Sequence, residues 1–427
     1  MKNRFLGKIE VSPIGMGCMA LSHGYGKVPE EKDSIDAIRA AFDFGCTFFD
    51  TAEAYGEKLF YRGHNEQILG KAVEGFRDKV VLATKMSFRG VPYQPGDPVY
   101  PILKEHLTKS LENLRTDYVD LYYLHRIHPD MPPEDAAAAF GKLIDEGLIR
   151  GWGLSQVSAA QLDAFHKVTP VSAVQNLYNM LERDCEEDIF PYCLSHNIGV
   201  VPFSPIASGF LSGKITTDTV FEKVDDVRVF VPQLSKENIA ANQPIVDILN
   251  RYAGEKGATP AQIALAWMLH KYPNVVPIPG SKHKERILEN LGAWNVTLTD
   301  QEFAGLETAL GRVTVHGHRG HVEDQRSGMK PESESHRKAS ERNVSFRGFR
   351  FLNPRPWGSG VRETREELLR VGLRPGVIDH GRLINKLHVV HDRVIELFRE
   401  VILTDRLAVL VEIDDEILIL VINHEAV

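Results

Sequence analysis

Residues 13–22 read "PIGMGCMALS", and within them Gly15-Met16-Gly17-Cys18-Met19-Ala20 satisfies G-x-G-x-x-A, the spacing of a dinucleotide-binding loop. How this stretch is read decides the fold. In a doubly wound unit such a loop runs straight into a helix, and an acidic residue closes the next strand about 20 residues later. Here the chain continues into "LSHGYGKVPEEKD" (residues 21–33), a loop with two more glycines, and the next strand's acid, Asp50, lies about 30 residues beyond the motif. The stretch is therefore read as the tip of a first strand in a different architecture.

Working outward, seven further apolar segments follow "SPIGMGCMA" (12–20): "TFFDTA" (47–52), "VVLATK" (80–85), "VDLYYLH" (119–125), "IRGWGLS" (149–155), "SAVQNLYN" (172–179), "GVVPFSP" (199–205) and "VVPIPGS" (275–281). Short runs rich in Val, Ile and aromatic residues, bounded by Gly or Pro, are the pattern of buried parallel strands. Amphipathic helical patterns lie between them, such as "SIDAIRAAFDFG" (34–45) and "PILKEHLTKSLENL" (101–114), several closing on glycine, as at Gly45 and Gly147. "TPAQIALAWMLHKY" (259–272) opens with Thr259 as an N-cap and Pro260 at the first helical position. Eight strand–helix alternations predict an α/β fold, a (β/α)8 TIM barrel with its site at the C-terminal ends of the strands. The opening "RFLGKIEVSP" (4–13) alternates around Gly7 and predicts an N-terminal β-hairpin plugging the barrel floor.

The formal net charge of -8, with 43% hydrophobic and 25% charged residues, suits a globular protein and argues against a nucleic-acid surface. No signal-peptide core and no run of about 20 apolar residues occurs, so no membrane partner is expected and the reading places the protein in the cytoplasm. Cys18, Cys46, Cys185 and Cys193 form neither a C-x-x-C nor a zinc spacing and are read as reduced, packed thiols. After about residue 310 the pattern changes. Residues 311–330 are expected to form a loop near the substrate pocket, 331–360 a polar, disordered linker, and 361–427 an atypical C-terminal extension. Within that extension, 362–373 and 381–403 look helical, and "RLAVLVEIDDEILILVI" (406–422) looks like two strands around an acidic turn.

In a barrel, polar residues at strand tips carry the chemistry. "FFDTAEAYG" (48–56) places Asp50 at the second tip and Tyr55 in the turn after it; the third strand ends at Lys85 and the fourth at His125. An acid, a phenol, an amine and an imidazole thus converge on one rim, a set suited to proton donation to an oxygen that gains negative charge. Tyrosine's ordinary pKa near 10 is high for this work, and the Lys85 ammonium is expected to lower it, with Asp50 orienting Lys85 and His125 bonding the substrate oxygen. The set contains no nucleophile and no metal. A glycosidase would need two facing carboxyl groups, and only Asp50 is so placed.

With "GLSQ" (153–156), "VPFSPIASGFLSGK" (201–214) and "IPGSKHKERILENL" (278–291) added to "FFDTAEAYG", "VVLATK" and "DLYYLHR" (120–126), the sequence resembles the aldo-keto reductases over about residues 4–325. The resemblance implies an NADP(H)-dependent reductase of small aldehydes or ketones, with Asp50, Tyr55, Lys85 and His125 as catalytic residues and Tyr55 as proton donor. It implies that Gly17, Cys18 and Met19 face the nicotinamide ribose, that Ser155, Gln156 and Gln175 serve the carboxamide, and that Phe203 stacks on the ring. Ser204, Pro205, Ile206, Ser208, Gly209, Leu211, Gly213 and Lys214 would clasp the pyrophosphate. Gly280, Ser281, Lys282 and Arg286 would hold the 2'-phosphate, with Glu289 and Asn290 at adenine; Lys284 and Arg286 equally suit a solvated helix face. The alternative it carries is a cofactor-binding, redox-sensing subunit resembling the potassium-channel β-subunits. A homo-oligomer is compatible with the pattern. Phe88, Tyr93 and Tyr100 suggest an aromatic mouth, with His128 beside it, and "HGHRGH" (316–321) is read as loop rather than metal cluster.

Overall fold

The computed structural model describes residues 2–88, 91–221 and 224–320, and the backbone of two strands at 407–413 and 416–422. The chain divides into two compact units, Met1–Lys338 and Ala339–Val427. The first opens with the expected hairpin, β1 (Arg4–Leu6) and β2 (Ile9–Val11), paired antiparallel around Gly7, whose φ of 61° lies in the left-handed region. Leu6 and Val11 are buried in one cluster with Phe48, Ala83, Leu121, Tyr123 and Ala173, side chains that fill the barrel interior. The hairpin is a plug.

Seven parallel strands follow in sequence order: β3 (Met16–Gly17), β4 (Phe48–Asp50), β5 (Val81–Met86), β6 (Val119–Leu124), β7 (Ile149–Ser155), β8 (Ala173–Gln175) and β9 (Gly199–Val200). The eighth predicted strand differs from expectation in being no regular strand. Val275 bridges Val200 on one side and Gly280 bridges Gly17 on the other, so residues 275–280 close the ring through isolated pairs. The cause is Pro277 and Pro279. Their carbonyls accept from Gly15 and Gly17, but neither can donate back to β3, while Val276 and Ile278 donate towards the β9 side.

Around the strands lie α1 (Glu31–Asp43), α2 (His64–Ala72), α3 (Val99–Leu114), α4 (Pro133–Asp145), α5 (Ala159–His166), α6 (Ile189–Ser195), α7 (Lys236–Lys256), α8 (Pro260–Lys271), α9 (Lys284–Leu291) and α10 (Asp300–Leu310). α1 packs on both α2 and α9, which completes the outer ring. Gly45 and Gly147 follow α1 and α4 with φ of 108° and 74°, and Thr259 caps α8 through Gln262 in a capping box. The four cysteines are buried and none is in a disulfide among the described residues.

In the second unit, β10 (Leu407–Ile413) and β11 (Glu416–Ile422) pair antiparallel with Ile413 opposite Glu416, the two strands expected around an acidic turn. The helices expected at 362–373 and 381–403, the linker at 331–360 and His321 lie outside the described residues. Among the described residues no helix is long and apolar enough to cross a membrane.

Candidate active site

Barrel register brings the four rim residues together. Asp50 ends β4, opposite Ala83 of β5 and Gly17 of β3, and Lys85 lies near the end of β5, opposite Tyr123 of β6. Lys85 is fully buried, and its three donors are all used: Nζ bonds Asp50 Oδ1, the carbonyl of Thr51 at 2.6 Å and Tyr55 Oη at 3.2 Å. Gln175 at the end of β8 donates from Nε2 to the other Asp50 oxygen at 2.8 Å. The turn that carries Tyr55 is fixed by its own N–H on Ala52 and by Gly56, whose φ of 88° and near contact with Ser22 leave no room for a side chain. The His125 ring meets Tyr55 edge-on at 5.9 Å.

Burial acts against both charges of the Lys85–Asp50 pair. Asp50 and Tyr55 hold the ammonium above its ordinary range, whereas on Asp50 burial prevails and its carboxyl is pushed up. For Tyr55 the outcome corrects the sequence expectation. Burial raises the phenol and outweighs the pull of Lys85, so the net direction is upward. Burial, then Arg126, Lys85 and His23, hold His125 well below its ordinary value, so near neutrality it is an uncharged imidazole.

The residues assigned to the cofactor lie along the same rim. Ser155 ends β7 and its Oγ accepts from Arg126 at 3.0 Å; Gln156, at φ 57°, accepts from Leu177 N–H through its side chain. Cys18 N–H bonds the Asp50 carbonyl, which ties the Gly17–Met19 turn to the end of β4. Phe203 is half-buried after β9, paired with Leu177. Beyond it, Ser204, Ala207, Ser208 and Gly209 all have positive φ, and Gly213 follows at 71°. The N–H groups of Ala207 and Gly209 close tight turns on the carbonyls of Ser204 and Ile206, a compact left-handed loop whose strain costs on the order of 1–3 kcal/mol per non-glycine residue. Pro205, Ile206 and Leu211 build the walls of this loop, Leu211 fully buried.

Farther along, Lys214 Nζ reaches Glu289 Oε2 at 3.5 Å, and Asn290 is buried on α9, where Arg286 also sits. Ser281 Oγ accepts from His283 N–H just after Gly280. Lys282 donates to the carbonyls of Tyr25 and Lys27, both at 2.9 Å, and so pins the long loop after β3. The mouth is less aromatic than expected. Buried Phe88 and Tyr93 and half-buried His128 form a chain of edge contacts, but Tyr100 turns outward to Glu146 and Lys104 on the helical layer. His316 and His318 are tied through their backbones to Asn242 and Gln233, and no group of three metal-binding side chains occurs among the described residues.

The family model described as the aldo/keto reductase family matches residues 13–310. The chain belongs to the aldo/keto reductase family. It is 36% identical over 315 residues to "Probable aldo-keto reductase 1" of Glycine max, covering 73% of this chain and 88% of that one. Among solved structures it resembles a glycerol dehydrogenase from Gluconobacter oxydans (28% identity, TM-score 0.64, 74% and 96% of the two chains). It also resembles an aldo-keto reductase from Klebsiella pneumoniae solved with NADPH (27%, 0.57, 74% and 99%). This chain is an oxidoreductase on an α/β barrel.

Two residues of this aldo/keto reductase went unnoticed in the sequence. Arg126 directly follows His125 in "YYLHR", and a cation beside a candidate catalytic residue was the signal. His23, in the loop after β3, lies 5.4 Å from the Tyr55 ring, and its buried Nε2 has no hydrogen-bond partner among the described residues. Nothing in local sequence could mark it, because the contact spans two strand tips.

Proposed function

We propose that this oxidoreductase reduces small aldehydes or ketones to alcohols with NADPH, with Tyr55 as proton donor. The observation that carries the reading is the three-way engagement of Lys85 with Asp50, Thr51 and Tyr55 in a buried site. It fixes an ammonium beside a phenol, where the cation stabilises the phenolate left when Tyr55 gives its proton to the carbonyl oxygen. Asp50, held from behind by Gln175, keeps Lys85 charged and aimed. His125, an uncharged imidazole, donates a hydrogen bond to the same oxygen and positions it without competing as an acid.

The residues present suit a dinucleotide. The left-handed loop at residues 204–213, with glycines at 209 and 213, lets a pyrophosphate approach the backbone closely, Ser155 and Gln175 flank a carboxamide, and the Phe203 ring offers a stacking face. Lys282 and Arg286 supply cations near α9 for a 2'-phosphate, which favours NADPH over NADH. When bound, the reduced nicotinamide supplies the hydride to the carbonyl carbon.

Tyr55→Phe tests the assignment. The phenol is expected to contribute roughly 10²–10⁴ in turnover as general acid, while NADPH affinity stays near that of the native chain, since Tyr55 is remote from the clasp. The assay is consumption of NADPH with a panel of aldehydes, alongside direct cofactor titration. Turnover retained by the variant refutes the proton-donor role. Tight NADPH binding with no turnover by the native chain would favour a redox-sensing subunit.

A further inference from the structure

Asn65, the second residue of α2, is 1% exposed, and both ends of its amide are engaged. Its Oδ1 accepts from Thr51 Oγ1 at 2.5 Å, and its Nδ2 donates to the Cys18 carbonyl at 3.0 Å and to Ser22 Oγ at 2.7 Å. A carbonyl can only accept, so the bond to Cys18 fixes which end of the amide is which. These partners belong to two neighbouring strand tips. Thr51 follows β4, and its own carbonyl is the one that accepts from Lys85. Cys18 and Ser22 lie after β3, where buried Ser22 packs against Gly56, the residue after Tyr55, and precedes His23, whose ring meets Tyr55.

We infer that Asn65 is a positioning residue that holds the Gly17–Ser22 turn at a fixed distance from the Lys85–Tyr55 pair. The inference rests on the reading above, in which Gly17, Cys18 and Met19 face the nicotinamide ribose and Tyr55 gives the proton. Carbonyl reduction delivers a hydride and a proton to two adjacent atoms, so the spacing between that turn and the phenol sets how well the two deliveries are aligned. Asn65 acts through Thr51, Cys18 and Ser22 and does not itself touch the reacting atoms.

The test is steady-state reduction of an aldehyde panel by the full native chain and by its Asn65→Asp, Thr51→Val and Thr51→Ser variants, with sites counted by NADPH titration. Aspartate keeps the acceptor for Thr51 but sets an oxygen against the Cys18 carbonyl; valine keeps the shape of Thr51 and removes its hydroxyl, which serine restores. Turnover per NADPH-binding site is expected to fall about 100-fold in Asn65→Asp and in Thr51→Val, the scale of a misplacement of about 1 Å, with the aldehyde KM held and serine recovering most of what valine loses. Thr51→Val decides even if the buried aspartate fails to fold. A role confined to folding would lower the number of sites and leave turnover per site native; that result, or a serine variant as slow as the valine one, overturns the inference alone. A native chain that binds NADPH and reduces no aldehyde overturns the function proposed above, and the inference falls with it.

Discussion

Asp50→Asn is the perturbation with the sharpest expected outcome. The carboxylate is 2% exposed and accepts two bonds on separate oxygens, from Lys85 and from Gln175 Nε2. An asparagine offers one oxygen and one NH₂, so whichever way it turns, a donor faces a donor. Lys85 keeps Thr51 and Tyr55 but loses its counter-charge in a site from which water is shut out. Removing one partner of a buried pair costs about 3–5 kcal/mol, because the surviving ion is left uncompensated. Urea unfolding followed through the buried Trp152 and Trp267 measures this, and the loss is expected at neutral pH. Lys85→Met should cost as much alone, yet the double variant should be more stable than either single one, since replacing both members by neutral groups is often tolerated. An Asp50→Asn loss below about 1 kcal/mol, or strictly additive losses, would refute the claim that the ammonium depends on this carboxylate.

Two further outcomes concern His125 and the glycines. Because His125 titrates well below 6.5, the unfolded chain holds a proton there that the folded chain refuses. Its share of stability is therefore full above pH 6.5 and is lost as pH falls through the range beneath; compared with His125→Asn, the native chain should lose about 1.4 kcal/mol per pH unit more in that window, and parallel curves would contradict the assignment. Glycine replacements should differ in sign: a Cβ at Gly17 would stand 2.8 Å from the Ile278 carbonyl, so Gly17→Ala should cost about 1–3 kcal/mol, whereas Gly254 in α7 meets nothing, and Gly254→Ala should gain up to about 1 kcal/mol in thermal unfolding.

The barrel was legible because its signals are local. Apolar runs of strand length alternate with capped amphipathic patterns, and the Thr259–Gln262 box and the glycines after α1 and α4 appear where those patterns end. That Asp50, Lys85 and His125 share a rim was legible for the same reason, since each sits at the polar end of an apolar run, with Tyr55 in the turn after Asp50. What escaped reading was set across the barrel. The eighth segment has the composition of a strand, but the donors lost at Pro277 and Pro279 show only when its neighbours are in place. The lowering expected for Tyr55 considered Lys85 alone, and the depth of burial that reverses it belongs to the folded molecule. Tyr100 reads as a mouth aromatic until α4 brings Glu146 to its hydroxyl.

"GMGCMA" shows where the division falls. By itself the sequence determined that this stretch is a strand tip, because a glycine-rich loop rather than a helix follows it, and that an acid, an amine and an imidazole end three successive strands, with a phenol in the turn after the first of them. Only the tertiary structure decided why the glycines are there. A Cβ at Gly15 would strike the Phe48 ring at 2.5 Å, and Gly17 and Gly280 pack backbone against backbone, each leaving 2.8 Å between an added Cβ and a carbonyl oxygen across the seam. The first strand and the last segment meet across more than 250 residues of intervening chain, and a contact between elements so far apart leaves no trace in the periodicity of either.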